Sequence, residues 1–202
     1  LRTAAANFDP IVRAANGHAT PYGIRIWNIG NEPWSSSEYN FDATPYIPVA
    51  LPIIDAMREA DLTIRVTIPA VGTAASPWNA GILASTALTS RVWGLSPHYF
   101  YSDAGTTGTI AQGETGLRAV AGQAAAKGLT VVIGDHAHSI TNTSSSAATD
   151  LAMQWQGAMT TASFLVMASQ VTNVERANFW IFGMPSAVWH PFRRNADGSY
   201  TK

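Results

Sequence analysis

Asn31 and Glu32 stand side by side in the stretch WNIGNEPW, where an apolar run ends in Gly-Asn-Glu-Pro. An amide and a carboxylic acid thus fall where a buried strand stops and a loop starts. A carboxyl group in such a place can exchange protons with a bound molecule. Two further polar clusters close apolar runs in the same way: Pro97, His98 and Tyr99 in RVWGLSPHYF, and Asp135, His136 and His138 in LTVVIGDHAHS. Asp135 supplies a second carboxyl at the end of another strand. His-x-His on a strand also puts two imidazoles on one face, and with Asp135 beside them a metal site is an alternative. The other acids read as structural. Glu38 completes the capping-box pattern Ser35-x-x-Glu38, Glu114 opens a helix and suits its dipole, and Glu59 and Glu175 fall in polar helix-end or loop contexts.

The elements that must position these groups are legible as apolar periodicity. Five short, apolar, mostly β-branched or aromatic segments read as buried parallel strands: Gly23 to Gly30, Leu62 to Gly72, Arg91 to Phe100, Leu129 to Asp135 and Ala177 to Gly183. Helical stretches lie between them: PYIPVALPIIDAMREAD, a shorter NAGILASTALTS, ETGLRAVAGQAAAKG with Gly128 as a C-cap, and AATDLAMQWQGAMTTASFLVMASQ. Strand and helix in alternation predict an α/β protein with a parallel sheet. SITNTSSSAATD reads as a long loop rather than a linker, so residues 1–202 form one domain. Polar residues follow the C-terminal ends of four of the five strands, the edge where α/β folds build their sites.

Composition narrows the partners. Of 202 residues, 47% are apolar and 12% charged, and the net charge is −1. That describes a well-buried globular chain with no basic stripe, so neither nucleic acid nor an anionic membrane is an expected partner. No apolar run is long enough for a transmembrane helix. Without cysteine the redox compartment stays open. Seven Trp, six Tyr and seven Phe suit a core, and equally a cleft where flat rings meet the C–H faces of sugars. Trp34, Trp78 and Trp189 are candidates to rim it. The chain opens without Met on what reads as the middle of a helix, and a start inside a larger gene product is expected.

Taken together the segments resemble a family. IWNIGNEPW is similar to the fourth barrel strand of clan A glycoside hydrolases, whose Asn-Glu pair carries the general acid/base. SPHYF resembles their sixth strand, VVIGDHAHS the seventh, which ends in the nucleophile, and NFWIFG the eighth, which often supplies a Trp platform. The IGNE form, with HPFRRNADGSYTK after the last strand, is most similar to the α-L-arabinofuranosidase family, which also holds β-glucan-cleaving members. The resemblance covers strands four to eight and implies a partial TIM (β/α)8 barrel of about five parallel β/α units.

It also implies roles. Glu32 would protonate the leaving oxygen and then deprotonate water in a retaining mechanism. Asn31 would bind the sugar 2-hydroxyl. Asp135 would take the nucleophile position, where the clan carries Glu, so impaired activity is expected. His98 or Tyr99 would donate to that carboxylate, and His136, Trp34 and Trp180 would contact substrate. No cofactor or metal is called for. The substrate class is a plant-type oligosaccharide or polysaccharide. The alternative is a carbohydrate-binding remnant, or a fragment that needs a partner chain. A five-stranded arc leaves two open edges, so self-association through them is expected.

Overall fold

The computed structural model describes residues 10–20, 22–102, 108–138, 155–180, 193–194 and 199–201. A short helix α1 (Pro10–Ala15) precedes strand β1 (Ile26–Asn28). There follow α2 (Ala43–Ala60), β2 (Arg65–Ala70), α3 (Pro77–Ala84), α4 (Thr86–Thr89), β3 (Gly94–Tyr101), α5 (Ile110–Ala125), β4 (Thr130–His138), α6 (Trp155–Ser169) and β5 (Val174–Phe179). A small antiparallel pair, β6 (Arg193–Arg194) and β7 (Tyr200–Thr201), stands after them. The five strands form one all-parallel sheet in sequential order, curled as part of a (β/α)8 barrel.

The hydrophobic core lies between the sheet and its helices. Helix α2 buries Ala43, Tyr46, Ala50 and Ile54, a stripe at three- and four-residue spacing. Its internal Pro48 and Pro52 fall on the exposed side. Their missing N–H groups therefore cost bonds at the solvent face rather than in the core. From the sheet, Val66, Ile68, Leu95, Val131 and Ile133 are buried into the same cluster, and Leu117, Val120 and Ala124 cover them from α5. Helix α5 begins with a reciprocal capping box between Thr109 and Gln112.

One irregularity sets the site. Leu95 pairs with Val131, yet His98 pairs with Asp135, so β4 spends one more residue than β3 between the two pairings. Pro97 lies within that gap on the β4 side, while on the other side of β3 it pairs with Ala70 of β2. The bulge hands His98 and Asp135 to each other across neighbouring strands.

Several sequence expectations need adjusting. β1 is confined to three residues, and β5 starts at Val174 rather than Ala177, which leaves Trp180 just past its end. The stretch NAGILASTALTS is two helices, broken at Ser85, whose hydroxyl caps the second. Ser35 and Glu38 cap no helix: residues 33–39 are turns, and the Ser35 hydroxyl contacts that of Ser37 at 2.7 Å. Glu114 lies beyond the first residues of α5 and pairs with Arg118 at 2.8 Å. No described helix is long and apolar enough to cross a membrane.

Phe164 of α6 is the keystone of the helix side. It is wholly buried, with Tyr101 4.5 Å and His136 5.0 Å from its ring centre and Tyr99 5.8 Å away. Phe164→Ala is expected to cost about 3–5 kcal/mol, read as a lowered denaturation midpoint at unchanged slope.

Candidate active site

Several hydrogen bonds hold the loop after β1. The Asn28 amide donates to the Gly30 carbonyl at 2.9 Å, the Tyr46 hydroxyl to the Ile29 carbonyl at 2.8 Å, and the Ser35 N–H to the Glu32 carbonyl at 2.7 Å. Asn28 is itself braced by the Thr67 hydroxyl at 3.2 Å. Within this frame Glu32 has φ +35°, a left-handed backbone that a side chain makes costly. Strain of this kind persists where surrounding bonds over-determine it.

From that loop Glu32 reaches β3. Its Oε1 lies 2.8 Å from Nδ1 of His98, and the other ring nitrogen, Nε2, lies 3.7 Å from Oδ2 of Asp135. One imidazole, 8% exposed, therefore stands against both carboxyls, which are 34% and 30% exposed. Gly134 makes the space: a Cβ there would stand 3.0 Å from His98 Nε2 and collide with the Ser96 hydroxyl. The His98 bond is the main reason that Glu32 is held below the ordinary glutamate range, against a smaller opposing push from burial. Asp135 receives no hydrogen bond among the described residues, and burial is the largest cause raising it above the ordinary aspartate range. The charge of Glu32 adds to that rise, and His98 opposes it.

Asp135 and His98 line a cavity of about 190 Å³ on the concave face, together with Asn31, Asn28, Ser96 and Asn178. Asn28, Ser96 and Asn178 carry no motif. Ser96 and Asn178 stand two residues before His98 and Trp180 along strands that alternate faces, and Asn28 closes β1 three residues before Asn31. Trp180 lies at the same edge. Its N–H donates to the His136 carbonyl at 3.0 Å, and its ring stands edge-on to Phe100 at 5.9 Å.

The same alternation turns other expected residues away. Tyr99 and His136 neighbour His98 and Asp135 in sequence, and their rings pack on Phe164 on the helix side. Tyr99 is buried there, and among the described residues its hydroxyl has no partner, Asp135 included. His136 shares a 3.1 Å bond with Tyr101, and burial pulls it down to about 4, so it is neutral near pH 7. His138, also buried, stands against Tyr101. Among the described residues no group of three or more potential ligands gathers for a metal. Trp34 packs on Trp78 at 5.1 Å, and Trp78 is a core residue whose indole donates to the Pro69 carbonyl at 2.9 Å. Trp189 lies outside the described residues.

Solved structures share this frame. The α-L-arabinofuranosidase of family GH51 from Thermotoga petrophila RKU-1 superposes with a TM-score of 0.69 at 17% identity, over 93% of this chain and 40% of that one. The fold is part of a (β/α)8 barrel. A family 51 α-L-arabinofuranosidase from Bifidobacterium longum matches with a TM-score of 0.67 at 16% identity, over 94% of this chain and 44% of that one. A GH128 endo-β-1,3-glucanase from Pseudomonas viridiflava matches with a TM-score of 0.57 at 15% identity, over 89% of this chain and 67% of that one. The chain thus spans well under half the length of the arabinofuranosidases that it matches. No protein-family profile and no curated protein sequence matches it.

Two outcomes follow from the geometry. Glu32→Ala and Glu32→Gly remove the same carboxylate but differ in backbone strain, so the glycine variant should be more stable by about 1–2 kcal/mol, measured by chemical denaturation. The second concerns pH. The lowered Glu32 contributes stability that is full above the ordinary glutamate range and lost as pH falls through its native value. Asp135 runs the other way, because its ionisation as pH rises penalises the native state. Asp135→Asn should therefore be more stable than the parent at pH 7, with the difference shrinking toward pH 3 in thermal melts.

Proposed function

We propose that this chain carries the chemistry of a glycoside hydrolase acting on plant-type polysaccharide or its oligosaccharides, either arabinofuranosyl side chains or a β-glucan. Glu32 and Asp135 are the reacting carboxyls. The observation that carries the reading is the Glu32–His98–Asp135 cluster at the C-terminal edge of the parallel sheet. Active sites of (β/α)8 enzymes form at that edge. Asn31, at the mouth of the same cavity with no side-chain bond of its own among the described residues, is placed to take a sugar hydroxyl. Trp180 and Phe100 pair edge-on at the same end of the sheet, where they could offer sugar rings an apolar face.

The retaining route needs carboxyls about 5–5.5 Å apart, so that one attacks the anomeric carbon. Asp is one methylene shorter than Glu, which withdraws its oxygens by roughly a C–C bond, ~1.5 Å. A misplacement of about 1 Å can cost on the order of 10²-fold. Double displacement by this chain is therefore slow. A second reading, a carbohydrate-binding remnant or a fragment completed by further chain, is favoured by Asp135 and by the 40% coverage of the arabinofuranosidase. Among the described strands β1 and β5 each pair on one side only, so a second copy or further strands would add there.

Hydrolysis and binding measured on one panel of arabinofuranosides and β-glucan oligosaccharides separate the readings. Slow hydrolysis that Asp135→Glu raises at least tenfold supports the enzyme. Binding without turnover, unchanged by that variant, supports the remnant.

A further inference from the structure

We propose that Tyr39, on the loop that begins at Glu32, is a stacking platform for the leaving-group part of a neutral oligosaccharide, so that the site grips sugar units beyond the one it cleaves. This rests on the glycosidase reading above and adds to it a residue that sets the preference for chain length.

Three features carry it. The first is the rigidity of the loop. Residues 33–41 contain no helix or strand, yet backbone bonds tie them back on themselves. The Ser35 N–H donates to the Glu32 carbonyl at 2.7 Å, the Glu38 and Asn40 N–H groups both donate to the Ser35 carbonyl at 3.0 Å, and the Phe41 N–H donates to the Pro33 carbonyl at 2.8 Å. Asn40 has φ +50°, a left-handed backbone that Asn tolerates better than most residues. The second is what the loop holds. Tyr39 is 63% exposed and stands 5.5 Å from the ring of Phe41, with 31° between the planes. Phe41 packs against the core, as does Trp34 at the start of the loop. A ring so exposed gains little from burial when the chain folds. The third is position and size. The loop runs from the C-terminal end of β1 to α2, so it is one of the βα connections from which (β/α)8 sites are built. It continues from Glu32, the acid that faces the leaving oxygen in the reading above. The cavity beside Asp135 and His98 holds about 190 Å³, less than the roughly 300–1,000 Å³ of pockets that enclose a drug-sized ligand. An oligosaccharide therefore has to find most of its contact outside that cavity, on the rim.

The chemistry of the loop selects the ligand. An apolar ring face backed by a second ring suits the C–H face of a sugar. The same loop carries Ser35, Ser36, Ser37 and Asn40, whose hydroxyl and amide groups suit sugar hydroxyls. Glu38 and Asp42 flank the ring in sequence with no cation between them, so a sugar bearing a carboxylate would be repelled and a neutral unit is favoured.

Hydrolysis of the shortest and the longest neutral oligosaccharides in the panel tests the idea. In Tyr39→Ala the ratio of kcat/KM for long over short chains should fall roughly two- to tenfold, through KM rather than kcat. Tyr39→Phe keeps the ring and should keep the ratio. The denaturation midpoint of Tyr39→Ala should match the parent, whereas a merely structural ring would lower it. A ratio indifferent to Tyr39→Ala overturns the proposal and leaves the glycosidase reading standing, and so does an equal loss in Tyr39→Phe. If nothing in the panel is hydrolysed, the glycosidase reading fails separately, and binding decides the platform on its own. The aromatic ¹H signals of Tyr39, assigned by their loss in Tyr39→Ala, should then shift on titration with the long oligosaccharides and not with the free monosaccharide. Signals that stay in place, or that shift equally with the monosaccharide, overturn the proposal.

Discussion

The site depends on an irregular stretch of β4, whose register shifts against both β3 and β5 just before Asp135 and His136. Without the extra residue that β4 inserts between its pairings with Leu95 and His98, every side chain beyond that point would turn to the opposite face of the sheet. Asp135 would then point among the helices, and His136 would meet the cavity. Pro97 and Gly134 both sit in that interval. Glycine leaves the volume into which the imidazole fits. Backbone irregularity thus sets Asp135 against His98, whose other ring nitrogen meets Glu32.

Much of this was legible in the residues. Apolar runs with turn signals located all five strands, and their parallel, sequential pairing followed from helices falling between them. The edge that collects Glu32, His98, Asp135 and Trp180 could be read for the same reason. What failed was the assignment of adjacent residues to one site. A strand shows alternate side chains to opposite faces, so two consecutive polar residues cannot both serve the cleft. His98 and Asp135 went one way, Tyr99 and His136 the other. Tryptophan was uninformative, because Trp34 and Trp78 contribute bulk to a core that the sequence cannot distinguish from a rim.

Other parts were illegible because they arise from distant segments meeting. Nothing near Glu32 announces that Tyr46, from the next helix, will clamp the Ile29 carbonyl, or that Asn28 will be steadied by Thr67. Those bonds make a left-handed glutamate tolerable. A turn read by composition alone gives Gly30 the strain, and Gly30 does have positive φ, but the residue that bears a cost for it is the acid.

The inner face of the sheet is largely hydrophilic where it forms the cavity. Asn28, Asn31, Asp135 and Asn178 line a surface that water reaches, with Thr67 and Ser96 buried beneath it, while the main apolar cluster sits between the strands and their outer helices. The molecule is thermodynamically one-sided. Unfolding releases apolar surface from the outer layer, which raises the heat capacity, but adds less from the lumen, much of whose lining is polar. Its increment per residue should accordingly sit below that of a closed barrel packed through the middle. The curve of stability against temperature is then correspondingly flat, so this half-barrel loses little of its cohesion on cooling.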